Sequence, residues 1–64
     1  MMTEHFTADE LHHCALREVR MRRRVYPRWV QNGKISFKHA QEEIEKMQAI
    51  AEHFAELVIK ERLL

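Results

Sequence analysis

Apolar residues along this 64-residue chain recur at helical spacing in two blocks, separated by a polar break at "QNGKIS" (residues 31–36). In the second block Phe37, Ala40, Ile44, Met47, Ala51, Phe54 and Val58 follow a three-four repeat, the spacing that lines one stripe of an α-helix as a coiled-coil-like seam. In the first block Leu11, Cys14, Ala15, Val25, Tyr26 and Trp29 project to one side, flanked by Val19 and Val30. No stretch alternates with the period of a strand, and good helix formers dominate. The pattern predicts an all-α chain of two helices.

The ends of both helices carry chemical signals. In "FTADEL", Thr7 is placed to cap the first helix and Glu10 to complete a capping box, with Phe6 and Leu11 at the positions of a hydrophobic staple. Asp9 and Glu10 sit where the helix dipole favours anions. Asn32 and Gly33, the chain's only glycine, tolerate the left-handed conformation that closes a helix. Ser36 then caps a second helix, with Ile35 and Ala40 spaced for another staple and Lys60 and Arg62 suiting its C-terminal end. One domain over 1–64 is expected, with helix one over about 8–32, a turn over about 33–36 and helix two over about 37–62. A connection this short makes the helices antiparallel, a helical hairpin.

Pro27 interrupts helix one. It has no N–H for the carbonyl of Arg23, and its ring crowds that turn, so a kink near Tyr26 is expected, on the polar edge of the helix. A rival reading ends helix one near Val25 and makes "PRWVQNG" a separate turn.

Beyond Gln48, Ile50, Ala55, Leu57 and Ile59 widen the apolar arc of helix two to roughly 200°. One neighbouring helix cannot cover that arc. Together with Leu11 and Leu16, the residues Ile50, Phe54, Leu57 and Val58 are therefore expected to form a self-association surface, giving a homodimer that closes into a four-helix bundle. Leu57→Glu is expected to disturb it more than Glu43→Ala.

Charge refines the picture. From Ala8 to Gly33 six arginines face Asp9, Glu10 and Glu18; from Lys34 onward four lysines and Arg62 face six glutamates, so a basic half precedes a mildly acidic one while the whole chain carries +1. Glu18 and Arg22 fall within the apolar face of helix one, four residues apart, and are expected to pair with each other, as a register-setting ion pair or as a polar anchor for a partner. Arg17, Arg20, Arg23, Arg24 and Arg28 project on the opposite side, none with an acid three or four positions away. Three readings stay open for this stripe: a solvated face, partly answered by Glu45, Glu52 and Glu56; a contact for an acidic protein; or a binding strip for nucleic-acid phosphate, with little sequence readout.

Catalytic and metal chemistry lacks a scaffold. Glu10, His12, His13 and Cys14 look like a ligand cluster as a string, but adjacent residues on a helix point about 100° apart and cannot converge on one ion. His39 and His53 are about four turns apart. Cys14 reads as a small core residue, and Tyr26 and Trp29 as hairpin core rather than stacking platforms. With no phosphate loop, carboxylate pair or pocket-sized core, the sequence predicts no enzyme, no cofactor and no metal. The lone cysteine, the absence of an apolar run at the start and the absence of a stretch of ~20 apolar residues predict a cytoplasmic protein outside the membrane.

At "MRRRVYPRWVQNGKIS…A…EI..MQAI" the chain resembles a group of short phage- and prophage-encoded proteins of unassigned function, from about Leu11 to about Phe54. The most specific part is Arg24-Val25-Tyr26-Pro27-Arg28-Trp29-Val30, then Gly33 and the spacing of Ile44, Met47 and Ile50. The resemblance implies a phage or prophage origin and the host cytoplasm as setting, and brings no activity with it. "VQNGKISFKHAQEEIEKM" also resembles short interaction hairpins at the ends of many bacterial proteins. The function expected is that of a small non-enzymatic binding protein that engages and modulates a host or phage protein. An accessory nucleic-acid-binding protein and a purely structural, self-assembling hairpin are the alternatives.

Overall fold

A computed structural model describes residues 5–63; the outermost positions of the expected domain, 1–4 and 64, lie outside the described residues. Two helices, α1 (Ala8–Gln31) and α2 (Phe37–Leu63), pack along each other as an antiparallel hairpin, with no strand among the described residues. The hairpin is a rod of 47 × 18 × 16 Å. Its radius of gyration is 14.3 Å, against about 11 Å for a compact domain of this length.

Local chemistry defines each boundary. Thr7 is the N-cap of α1: the Glu10 N–H donates to its Oγ1 over 3.0 Å, and its own N–H donates to Glu10 Oε1 over 3.0 Å, a complete capping box. At the far end the Gly33 N–H donates to the Val30 carbonyl and the Lys34 N–H to the Trp29 carbonyl, the paired bonds of a Schellman closure. Of the two residues that tolerate the left-handed conformation, Gly33 takes it, at φ +75°, while Asn32 stays at φ −84°. Ser36 caps α2 by accepting the His39 N–H on Oγ at 3.0 Å.

Helix α1 continues through Pro27, which sets aside the reading that ended it near Val25. The missing proline N–H costs one bond, and Pro27 itself is exposed. The Tyr26–Trp29 stack, with centroids 5.2 Å apart, and the closure at Gly33 hold the last turn together on either side of it.

The seam is narrow and made of small residues. Ala8, Ala15 and Val19 from α1 meet Ala40, Ala51 and Val58 from α2, and no large side chain is fully buried. Leu16 and Met47 pack on the Ala15–Val19–Ala51 cluster from its edges. Several expected core residues lie outside it. Cys14 is exposed, Trp29 is 37% exposed and Phe37, first of the α2 repeat, is 71% exposed. The reason is geometric: alanines in the seam let the two backbones approach closely, and a close pair covers a narrower arc than a helical wheel assigns to the apolar face.

Replacing Gly33 isolates the turn's contribution. An added Cβ at Gly33 meets no heavy atom within 4 Å, so the cost of Gly33→Ala is conformational. It is expected to be about 1 kcal/mol by urea denaturation, and smaller for Gly33→Asn.

Candidate interaction surface

Polar contacts between the helices mark the two flanks of the hairpin. On one flank Arg22 Nε donates to Glu18 Oε1 over 2.9 Å, the pair expected from their spacing. Its reach is longer than the sequence implied: Arg22 Nη1 donates to the Glu43 backbone carbonyl over 2.9 Å and lies 3.9 Å from the Glu43 carboxylate. The guanidinium also sits 5.9 Å from the centroid of the Tyr26 ring, within cation–π range. Glu43 in turn accepts from Lys46 Nζ at 3.1 Å. Glu43 is thus a member of the interhelix network rather than a neutral comparator for the surface.

The opposite flank is marked by Arg23 Nη2, which donates to Gln48 Oε1 over 2.7 Å, while Gln48 Nε2 donates to Glu52 at 3.4 Å. Arg23 therefore leaves the expected stripe of five and becomes part of the hairpin. His12 belongs to the same flank, its Nδ1 3.0 Å from the Ala51 carbonyl. A carbonyl only accepts, so Nδ1 carries the proton there. His13 Nδ1 lies 2.9 Å from the Asp9 carbonyl, the previous turn of its own helix. Among the described residues no three His, Cys, Asp or Glu side chains group to hold a metal ion.

The remaining arginines, Arg17, Arg20, Arg24 and Arg28, are exposed and make no hydrogen bond or ion pair among the described residues. They line the back of α1, away from α2. Trp29 stands beside them: Arg24, Val25, Arg28 and Trp29 enclose a shallow cleft of about 230 Å³. Its indole is held at 24° to the Tyr26 ring, so this aromatic edge is pre-ordered rather than a loose surface side chain. Two of the three acids expected to answer the stripe hydrogen-bond on α2 itself, Glu45 accepting from Gln41 and Glu52 from Gln48; the side chain of Glu56, the third, makes no hydrogen bond or ion pair among the described residues.

The apolar surface divides between the flanks. In α1, Leu11, Cys14, Met21 and Val25 stand seven or four before, or three or seven after, Glu18 and share its side; in α2, Met47, Ile50, Phe54 and Leu57 stand four, seven, eleven and fourteen after Glu43 and share its side. Leu16, seven before Arg23, and Ile59, eleven after Gln48, belong to the other flank. Val58, expected on the self-association surface, is buried between the helices. Near the turn, Tyr26, Pro27, Val30, Phe37, Ala40 and Ile44 line a second, mostly apolar groove of about 230 Å³, where no pocket was expected. Its signal in the sequence was Phe37 itself, an aromatic at the first position of α2, which the structure leaves 71% exposed.

These features define a class: a two-helix hairpin with an internal ion network, a free cationic stripe and apolar flanks. No helix among the described residues is long and apolar enough to cross a membrane. No family model, curated protein or solved structure matches the chain.

Glu43 offers a pH test of the network. The Lys46 ammonium, by its hydrogen bond and then by its charge, holds the Glu43 pKa below its ordinary 4.5; partial desolvation opposes this, and His39 and Arg22 add weaker pulls in the same direction as Lys46. A carboxylate with a depressed folded-state pKa contributes stability that is present above its unfolded pKa and lost as pH falls through the folded one. Glu43→Gln should therefore lower the urea midpoint at neutral pH, and the gap to the native chain should close as the pH drops through the region below 4.5.

Proposed function

We propose that this chain is a small, non-enzymatic binding protein of the phage or prophage type, acting in the host cytoplasm, that engages an acidic surface of a host or phage protein through Arg17, Arg20, Arg24 and Arg28. The observation that carries the reading is that these four guanidinium groups have no internal acid to answer them, whereas Arg22 and Arg23 are both satisfied within the hairpin. Arg20, Arg24 and Arg28 recur every fourth residue, about 6 Å apart along the axis. Carboxylates at the same spacing on a partner helix match that row.

Like charges at this spacing cost a helix a few tenths of a kcal/mol per pair. A stripe that repels itself supports an external anion. Trp29, at the edge of the row, supplies an ordered aromatic anchor of the kind that concentrates binding energy.

The exposed indole beside Arg24 and Arg28 also favours a second reading, phosphates on the arginines with a base against the ring. Overall charge decides between the two. A net +1 and a sequence pI near 8.0 give a weak field, well short of the strongly basic surface that drives non-specific nucleic-acid binding. Cations confined to one stripe of an otherwise balanced molecule suit an acidic protein patch better.

The double variant Arg20→Ala/Arg24→Ala tests the stripe. Capture from nuclease-treated host extract by the native chain should retain a protein that the variant loses, with affinity for that protein reduced about tenfold or more. Helix stability should be unchanged or slightly raised, because repulsion has been relieved. Binding that disappears on nuclease treatment and reappears on a single-stranded oligonucleotide with steep salt dependence would transfer the stripe to nucleic acid.

A further inference from the structure

The seam between α1 and α2 does not account for the larger apolar side chains, and one flank gathers them. Leu11, Cys14, Met21, Ile50, Phe54 and Leu57 share the side of Glu18 and Glu43. Cys14 and Ile50 are exposed, Ile50 at 45%, and the other four are only half-buried. We infer that this flank is the interface with a second copy of the chain, the two hairpins pairing about a two-fold axis as a four-helix bundle.

Three observations select a second copy as occupant. The first is area. The chain exposes 5265 Å², whereas a compact protein of 7.8 kDa exposes about 4,400 Å². The excess of roughly 900 Å² comes from the elongated shape, and covering one long side of the rod would remove an area of the order of the approximately 800 Å² that each partner buries in a standard interface.

The second is charge. Along the middle of the flank the acids Glu18 and Glu43 are already paired with Arg22 and Lys46, and Glu61 stands at its far end, so the central strip meets a copy of itself without like-charge repulsion, as an isologous contact requires. The self-repelling stripe of Arg17, Arg20, Arg24 and Arg28 lies behind α1 and stays outside the contact. The third is shape. A rod 47 Å long with its apolar positions spread along both helices presents a continuous strip, which a second rod of the same length covers. The inference is independent of the arginine stripe's partner: loss of that binding leaves it untouched.

Its test is the oligomeric state. Sedimentation equilibrium from about 1 to 100 µM should give twice the 7.8 kDa of the chain, with a thermal midpoint that rises with protein concentration. Ile50→Glu places a charge on the flank and should weaken the dimer about a hundredfold or more. Ile59→Glu, at a more exposed position on the Arg23–Gln48 flank, should leave it within about threefold of the native chain. If Ile50→Glu fails to fold, the native chain's concentration-dependent midpoint stands as the readout, because a monomeric fold shows none. A monomer of 7.8 kDa at about 100 µM, a midpoint independent of concentration, or an Ile59→Glu variant that dissociates as readily as Ile50→Glu would overturn the inference.

Discussion

Close approach of two helices across a seam of alanines and valines is the constraint from which the rest of this molecule follows. Ala8, Ala15, Ala40 and Ala51 have no side chain beyond Cβ to hold the backbones apart, and Val19 and Val58 fill what space remains. Such a seam packs well but removes little apolar area from water, since the hydrophobic effect scales with area buried. Isoleucine, phenylalanine and tryptophan, which bury the most, are displaced to the flanks and the rim. A hairpin of this kind is orderly and under-covered at once, and both properties bear on what it does.

Register between the helices is held less by apolar packing than by polar side chains that reach across it. Small seam residues interlock little, so apolar packing alone resists sliding of α1 along α2 only weakly. Arg22 opposes that sliding by bonding both Glu18 on its own helix and the backbone carbonyl of Glu43 on the other. His12 on the Ala51 carbonyl and Arg23 on Gln48 fix the same register from the opposite flank. Half-exposed ion pairs add little stability. Their value here is geometric: three bonds at three heights of the rod admit one alignment.

What the sequence made legible were the features that depend on neighbours in the chain. The capping box at Thr7, the closure at Gly33, the Ser36 cap and the Glu18–Arg22 pair involve residues three to five apart, so spacing alone specifies them. Trp29 and Cys14 were assigned to the core because a helical wheel counts every residue on the apolar arc as buried, while the width of the buried arc depends on how near the partner helix comes. Alanines in both helices set that distance, and only the assembled pair reveals it. Arg23 was placed in the free stripe for a similar reason. Its partner, Gln48, is twenty-five residues away and uncharged, outside any search for nearby acids. The arginines that remained free are those whose side of α1 faces neither flank.

Under the two proposals, charge and exposure divide the surface between two tasks. The Glu18–Glu43 flank is apolar and internally neutralised, properties that favour a copy of itself; the back of α1 is cationic and self-repelling, which disfavours a copy and favours an anion. Nearly balanced net charge follows from placing six of the ten acids on α2, and it lets the arginines act as a local feature rather than as a field that attracts every polyanion. Pairing through the flank would also turn one stripe of four arginines into two, at opposite edges of the same bundle. A partner that presents acidic helices in pairs would then gain from simultaneous engagement, because the second contact becomes intramolecular and its effective concentration depends on the bundle's rigidity. Self-association and partner binding would in that case be coupled through geometry alone, with no conformational change in the hairpin.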